Sequence, residues 1–157
     1  MAAEQPVLLS VRPRFSDALL DGTKTVEMRR RSMRFHPGTL CLLYASSPTR
    51  SLTGALRVAA IDHGTPDELW RRHGPRTALT RDEYDAYLDG RSTACALLIA
   101  AVIPFHTPVP LAELRRRSDT FVAPQSYRFV NDGELRTLLN GQAAELTALT
   151  AQLSLPA

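Results

Sequence analysis

A chain of 157 residues is long enough for one domain with a sizeable core. Its 19 basic and 16 acidic residues leave a net charge of +3, which permits a nucleic-acid partner and excludes a histone-like polycation. No stretch has the apolar length of a membrane-spanning helix, and the polar opening Met1 to Gln5 with the brief Val7-Leu8-Leu9 does not read as a signal peptide. The expectation is a cytoplasmic protein with no membrane partner.

In chain order, Val7 to Val11 reads as a first strand, and Pro13 opens a helix where its missing N–H is harmless. Gly22 closes the apolar run Phe15 to Leu20 as a C-terminal glycine in the left-handed conformation. Thr25-Val26-Glu27-Met28-Arg29 then alternates, placing Thr25, Glu27 and Arg29 on one face and Val26 and Met28 on the other. Arg30 to Arg34 leads to a Pro37-Gly38 turn, and Thr39 to Ala45 is near-continuously apolar, as in a central strand. Ser51 to His63 is a long β-type run in which Gly54 marks a bulge or a close backbone approach. Thr65-Pro66-Asp67-Glu68 and Thr80-Arg81-Asp82-Glu83 are helix starts with capping boxes, ended near Gly74 and Gly90. Thr93 to Phe105 is another long strand, and Pro110 opens a short helix carrying Arg115, Arg116 and Arg117. After a brief strand or turn near Tyr127 to Val130, Asn131 caps a tail whose Leu135, Leu138, Leu139, Leu146, Leu149 and Leu153 recur at helical spacing, with Gly141 as a break. Long strands without helices between them predict an α+β fold built on a small mixed-sheet barrel.

Of the 19 basic residues only Lys24 is lysine. An ammonium is a compact point charge whose pKa can fall on burial, whereas guanidinium stays charged and flat, so this position suggests chemistry that arginine cannot supply. Lys24 sits at the helix-to-strand joint, free to share one mouth with Glu27 and Arg29. A close carboxylate favours the charged ammonium, and in a wet cleft Glu27 is expected to keep Lys24 protonated. Two further polar clusters end strands: Tyr44-Ala45-Ser46-Ser47-Pro48 and Pro124-Gln125-Ser126-Tyr127. Among three arginine groups, Arg29-Arg30-Arg31 with Arg34 adjoins the mouth and is the phosphate-contact candidate, while Arg71-Arg72-Arg76 and Arg115-Arg116-Arg117 read as solvated helix faces. Aromatic residues make up only 6% of the chain, too few for a long stacking platform, although Tyr44, Tyr84, Tyr87 or Tyr127 could stack one or two bases. Glycine-rich phosphate loops and nucleophile elbows are absent, and the four scattered histidines have no metal-ligand spacing. Neither metal nor cofactor is expected. Cys41 and Cys95 lie in apolar runs and read as buried free thiols.

Ser10-Val11-Arg12-Pro13 followed by Leu20-x-Gly22-x-Lys24-x-x-Glu27-x-Arg29 resembles an ASCH domain of the PUA-like superfamily. Tyr44 to Pro48, the Gly54 strand, Tyr87-Leu88-Asp89-Gly90 and Pro124 to Tyr127 fit the same pattern, from about Val7 to Val130. The resemblance implies a PUA-like β-barrel with short helices around a cleft, spanning residues 1–130, and leaves 131–157 as a helical extension docked on it. It also implies an RNA-linked role, with one branch of the family cleaving RNA and another hydrolysing acetylcytidine through a lysine, a threonine and a glutamate. Lys24 matches that lysine, but Glu27 stands where the amidohydrolase pattern has threonine. The first reading is therefore a nucleic-acid-binding module for RNA or a nucleotide, with DNA possible, using Lys24, Glu27, Arg29, Tyr44, Ser46, Ser47, Gln125, Ser126 and Tyr127. The alternative is a metal-independent hydrolase, a ribonuclease or nucleoside amidohydrolase, with Lys24 and Glu27 catalytic.

Overall fold

The computed structural model describes residues 5–154. Six strands and six helices follow one another: β1 (Val7–Val11), α1 (Pro13–Asp21), β2 (Val26–Arg29), β3 (Leu40–Ala45), β4 (Ser51–Gly64), α2 (Pro66–His73), a 3₁₀ turn (Gly74–Arg76), α3 (Arg81–Tyr87), β5 (Ala94–Pro110), α4 (Leu111–Arg117), β6 (Tyr127–Phe129), α5 (Asp132–Leu138) and α6 (Ala143–Ser154). The strands form one sheet in the order β2-β5-β4-β3-β1-β6. Among the described residues only β1 and β3 run parallel; the other pairings are antiparallel, giving the mixed α+β sheet expected, curled into a half-barrel.

The curl has a local cause. Pairing between β4 and β5 shifts register near Leu52/Gly54, Arg57/Val58 and Val58/Ala60, and each irregularity bends and twists the long strands. Gly54 is required there, because a Cβ would lie 2.6 Å from the Ile103 carbonyl oxygen and 2.7 Å from a Leu20 methyl. β5 runs on to Pro110, beyond the expected end at Phe105. Proline usually ends a strand, but Pro104 faces Gly54 and the pairing then jumps to Leu52 with Val109, so the interruption is absorbed in the bulge.

Strand periodicity sorts the core. Leu8, Leu40, Leu42 and Tyr44 face a cluster completed by Phe105, Leu114, Leu135, Leu138, Leu139 and Leu149, so α5 and α6 cover this side of the sheet. Leu153 lies outside the described side chains. Val7, Leu9, Val11, Cys41 and Leu43 face the opposite cluster with Leu19 of α1, Met33 and Phe35. With both faces covered, β1 and β3 read as continuous apolar runs. A third cluster packs Val26 and Met28 of β2 against Leu69 of α2 and Tyr84 and Leu88 around α3. Cys41 and Cys95 are buried free thiols, as expected. Of the α4 arginines, Arg115 and Arg116 are exposed as expected, but Arg117 is partly buried, bonds Glu113 at 2.9 Å and the Leu138 carbonyl at 2.7 Å, and donates to Gln142. Its long stem reaches the α5–α6 junction, which only the tertiary fold brings beside α4. Among the described residues, no helix is long and apolar enough to cross a membrane.

Candidate functional site

The loop after α1 aims the sole lysine inward. Gly22 takes φ of 86°, the left-handed cap the sequence predicts, and the Asp21 carboxylate accepts from the Thr23 N–H at 2.8 Å and its hydroxyl at 2.6 Å. The Lys24 N–H then donates to the Ala18 carbonyl and the Thr25 N–H to the Arg76 carbonyl, each at 3.0 Å. Chain direction is thereby fixed on both sides of Lys24 before β2 begins. In β2 the alternation sends Val26 and Met28 into the third core cluster and turns Glu27 and Arg29 toward an open cleft of about 620 Å³.

Lys24, Glu27 and Arg29 meet at the floor of that cleft, with residue exposures of 1%, 6% and 8%. Lys24 Nζ lies 3.3 Å from Glu27 Oε1, and Glu27 Oε2 accepts from Arg29 Nη2 at 3.0 Å. One carboxylate therefore bridges two cations. Lys24 Nζ also donates to the Thr77 carbonyl and sits 4.7 Å from the Phe15 ring centroid, within cation–π range. Arg29 Nη2 donates to the Ser10 carbonyl at 2.8 Å, but its buried Nε has no hydrogen-bond partner among the described residues. The floor carries one positive charge more than it compensates, with an unmatched donor, which is the complement of an anion.

Burial sets the sign of the lysine's pKa shift. Desolvation pulls Lys24 below its ordinary 10.5, and the opposing pull of Glu27 is the smaller effect; Arg29 and Arg14 add to the lowering. This corrects the expectation that the pull of Glu27 would outweigh desolvation and raise the lysine's pKa. The floor is dry because the Phe15 ring and the turn ending at Thr77 shut water from the amine, and neither neighbour is adjacent in sequence.

The rim adds polar groups. Ser46 and Gln125 line the cleft with Arg12, Arg14, Glu83 and Tyr87. Arg14 pairs with Glu83, which also completes the α3 capping box, and the Arg14 hydrogen bond holds the Glu83 carboxyl down at about 2. Tyr87 is 37% exposed while its hydroxyl donates to the Met28 carbonyl at 3.3 Å, and burial of that hydroxyl pushes its pKa up.

Of the residues singled out from the sequence, Lys24, Glu27, Arg29, Ser46, Gln125 and the stacking candidate Tyr87 share this cleft. The others lie elsewhere. Tyr44 points to the opposite face of β3, 4% exposed against Phe121 at 6.3 Å, where burial raises its pKa while Arg50 and Arg115 pull it down. Ser47 and Ser126 are exposed on their loops, and the Ser126 carbonyl accepts from the Ser10 N–H at 2.9 Å. Tyr127 is half-buried beside Phe35 and Phe129. Sequence reasoning missed Phe15, Thr77, Arg14 and Glu83 as parts of the site. Thr77 contributes a backbone carbonyl, which leaves no side-chain signal, and Arg14 and Glu83 are 69 residues apart.

A mixed half-barrel with short helices around a cationic cleft defines an α+β protein of PUA-like architecture. The family model of the ASCH domain matches residues 9–106, and the chain belongs to the ASCH domain family. It is 31% identical over 133 residues to the ASCH domain-containing ribonuclease of Zymomonas mobilis, covering 85% of this chain and 89% of that protein. The crystal structure of ASCH from Zymomonas mobilis superposes with a TM-score of 0.81 at 30% identity, over 87% of this chain and 94% of that one. A protein of Agrobacterium tumefaciens shares the fold at 13% identity, with a TM-score of 0.56 over 88% of this chain and 92% of that one.

Proposed function

We propose that this protein binds single-stranded RNA in the cleft and cleaves it, with Lys24 and Glu27 as the proton-transfer pair and Arg29 as the phosphate contact. The 3.3 Å contact between Lys24 Nζ and Glu27 Oε1 on a dry, net-positive floor carries this reading. Glu27 takes the proton of a ribose 2′-hydroxyl as its oxygen attacks the adjacent phosphorus. The P–O2′ bond forms, the P–O5′ bond breaks, and the Lys24 ammonium protonates the departing 5′-oxygen. An ammonium whose pKa lies below 10.5 is a better acid for that last step. Arg29 neutralises charge on the phosphate, whose strengthening in the transition state is where such a donor has most effect. The short Glu27–Lys24 contact then returns the proton from acid to amine and resets the pair. The ribonuclease name of the Zymomonas relative supports the reaction class.

One observation favours pure binding. Lys24 Nζ already has three fixed neighbours, the Thr77 carbonyl, Glu27 and the Phe15 ring, as a scaffolded charge would. A labelled single-stranded RNA, and the same strand with 2′-deoxyribose throughout, separate the two. The cleavage reading expects a 2′,3′-cyclic phosphate from the RNA alone, a loss of about 100-fold or more in Glu27→Gln, and retained binding in Lys24→Arg without turnover. RNA retained but released intact by the wild type would establish the binding reading instead.

A further inference from the structure

Two segments that begin in the cleft converge on one patch outside it. The chain leaves the floor at Arg29 and runs through Arg30 and Arg31 to Arg34, whose N–H donates to the Tyr127 hydroxyl at 3.0 Å. The second segment leaves the cleft at Gln125 and enters β6, the outer strand of the sheet. There Tyr127 meets Phe35 edge-on at 5.4 Å and Phe129 edge-on at 6.1 Å, and Phe129 leaves 43% of its surface exposed. A bend at Gln125 and Ser126 leads straight into β6, so Phe129 lies only four residues from the cleft lining. The patch thus adjoins the cleft without being part of it.

Charge distribution gives the strip its character. Arg30, Arg31 and Arg34 are exposed, and none has a carboxylate partner among the described residues. Arg72, Arg81, Arg116, Arg117 and Arg128 are all held in ion pairs. Arg34 reaches this patch through its N–H on Tyr127, whose ring meets the exposed Phe129, while Arg30 and Arg31 lie on the chain between the patch and the floor. Uncompensated guanidiniums that lead to a solvent-facing phenylalanine match a chain that alternates phosphates with flat bases. Stacking on an aromatic face requires an unpaired base, so the strip suits a single strand.

We infer that this strip, from Arg30 and Arg34 to Phe129, carries the flanking nucleotides of a single-stranded RNA whose central phosphate lies on the cleft floor. The inference rests on the reading of the cleft as a single-stranded RNA site and extends it to the length of the substrate. A second copy of this chain is the less suitable occupant: β6 offers only three residues of edge, and two such edges would bring like-charged arginines together.

Fluorescence anisotropy with a diuridylate and an octauridylate, both 2′-O-methylated so that no 2′-hydroxyl can attack, at two salt concentrations, tests it. The wild type is expected to bind the octamer at least about tenfold more tightly, with a steeper salt dependence. Phe129→Ala and the double variant Arg31→Ala/Arg34→Ala should remove most of that length advantage while leaving diuridylate affinity unchanged. Phe129→Leu keeps an apolar side chain and removes the aromatic face, so it should behave like Phe129→Ala if stacking is the cause. Equal wild-type affinity for the two lengths, or an advantage that survives these variants, overturns the strip and leaves the cleft reading standing. Failure of the wild type to bind either RNA overturns both, because the cleft alone should hold the diuridylate. A change of solution mass in Phe129→Ala, without a change in octamer affinity, would assign the patch to self-association and overturn the inference.

Discussion

Two charged clusters in this molecule use the same kinds of side chain for different ends. On the outside of α2, Asp62 accepts from Arg72 Nε at 2.9 Å and meets His73 Nε2 at 2.7 Å, while Arg76 donates to His73 Nδ1 at 2.7 Å. Arginine can only donate, so Nδ1 accepts and the Nε2 proton points at Asp62. Glu68 lies 3.9 Å from Arg72, and the Asp62 and Arg72 side chains are 30% and 44% exposed. Water and nearby acids compensate every charge there, and the cluster pins α2 to β4. At the cleft floor, Lys24, Glu27 and Arg29 have little water, one carboxylate for two cations and an unmatched Arg29 Nε. The surface cluster is complete in itself. The buried one is complete only with an anion, and that difference separates an anchoring network from a binding floor.

Breaking the buried cluster should have the largest effect. Glu27→Ala leaves two dry cations without a counter-charge, and the expected loss is about 3–5 kcal/mol of unfolding free energy by urea titration, together with RNA cleavage. A loss below about 1 kcal/mol would mean that water reaches the floor and the contrast with the surface is false. The second effect is one of pH. Because Lys24 is lowered in the folded state, the unfolded chain binds more protons between that lowered value and 10.5, so stability should rise with pH across this window. Lys24→Met should lack that rise when the two proteins are unfolded in parallel from pH 7 to pH 10. The smallest effect belongs to the surface: Arg72→Ala should shift the urea midpoint far less than Glu27→Ala and leave cleavage unchanged, since exposed ion pairs are screened.

What the sequence made legible follows from how local each signal was. Pro13 and Gly22 bracket α1, Thr65 and Thr80 cap α2 and α3 by accepting from the N–H groups of Glu68 and Glu83, and the alternation of β2 places Glu27 and Arg29 together. The singular lysine marked the floor of the cleft for a chemical reason that needs no fold. What was not legible depended on distant contacts. The dryness of Lys24 is set by Phe15 and by a turn more than fifty residues away, so the direction of its pKa shift could not be read from its neighbour Glu27. Tyr44 was grouped with Ser46 because they are close in the chain, yet strand alternation and the α4–α6 side of the sheet place its ring against Phe121. Tyr87 took the cleft position instead, through an α3 orientation fixed by its capping box and by packing on β2.

The single lysine also permits the most direct measurement. Protein labelled with ¹³C at lysine Cε and ¹⁵N at Nζ gives one side-chain signal, which can be followed by NMR through a pH titration with and without an uncleavable single-stranded RNA analogue. A midpoint below 10.5 in the free protein, and a displaced resonance when the analogue is added, is the result expected of a desolvated lysine on the floor of an RNA-binding cleft. A midpoint at or above 10.5 with no response to the analogue would contradict it.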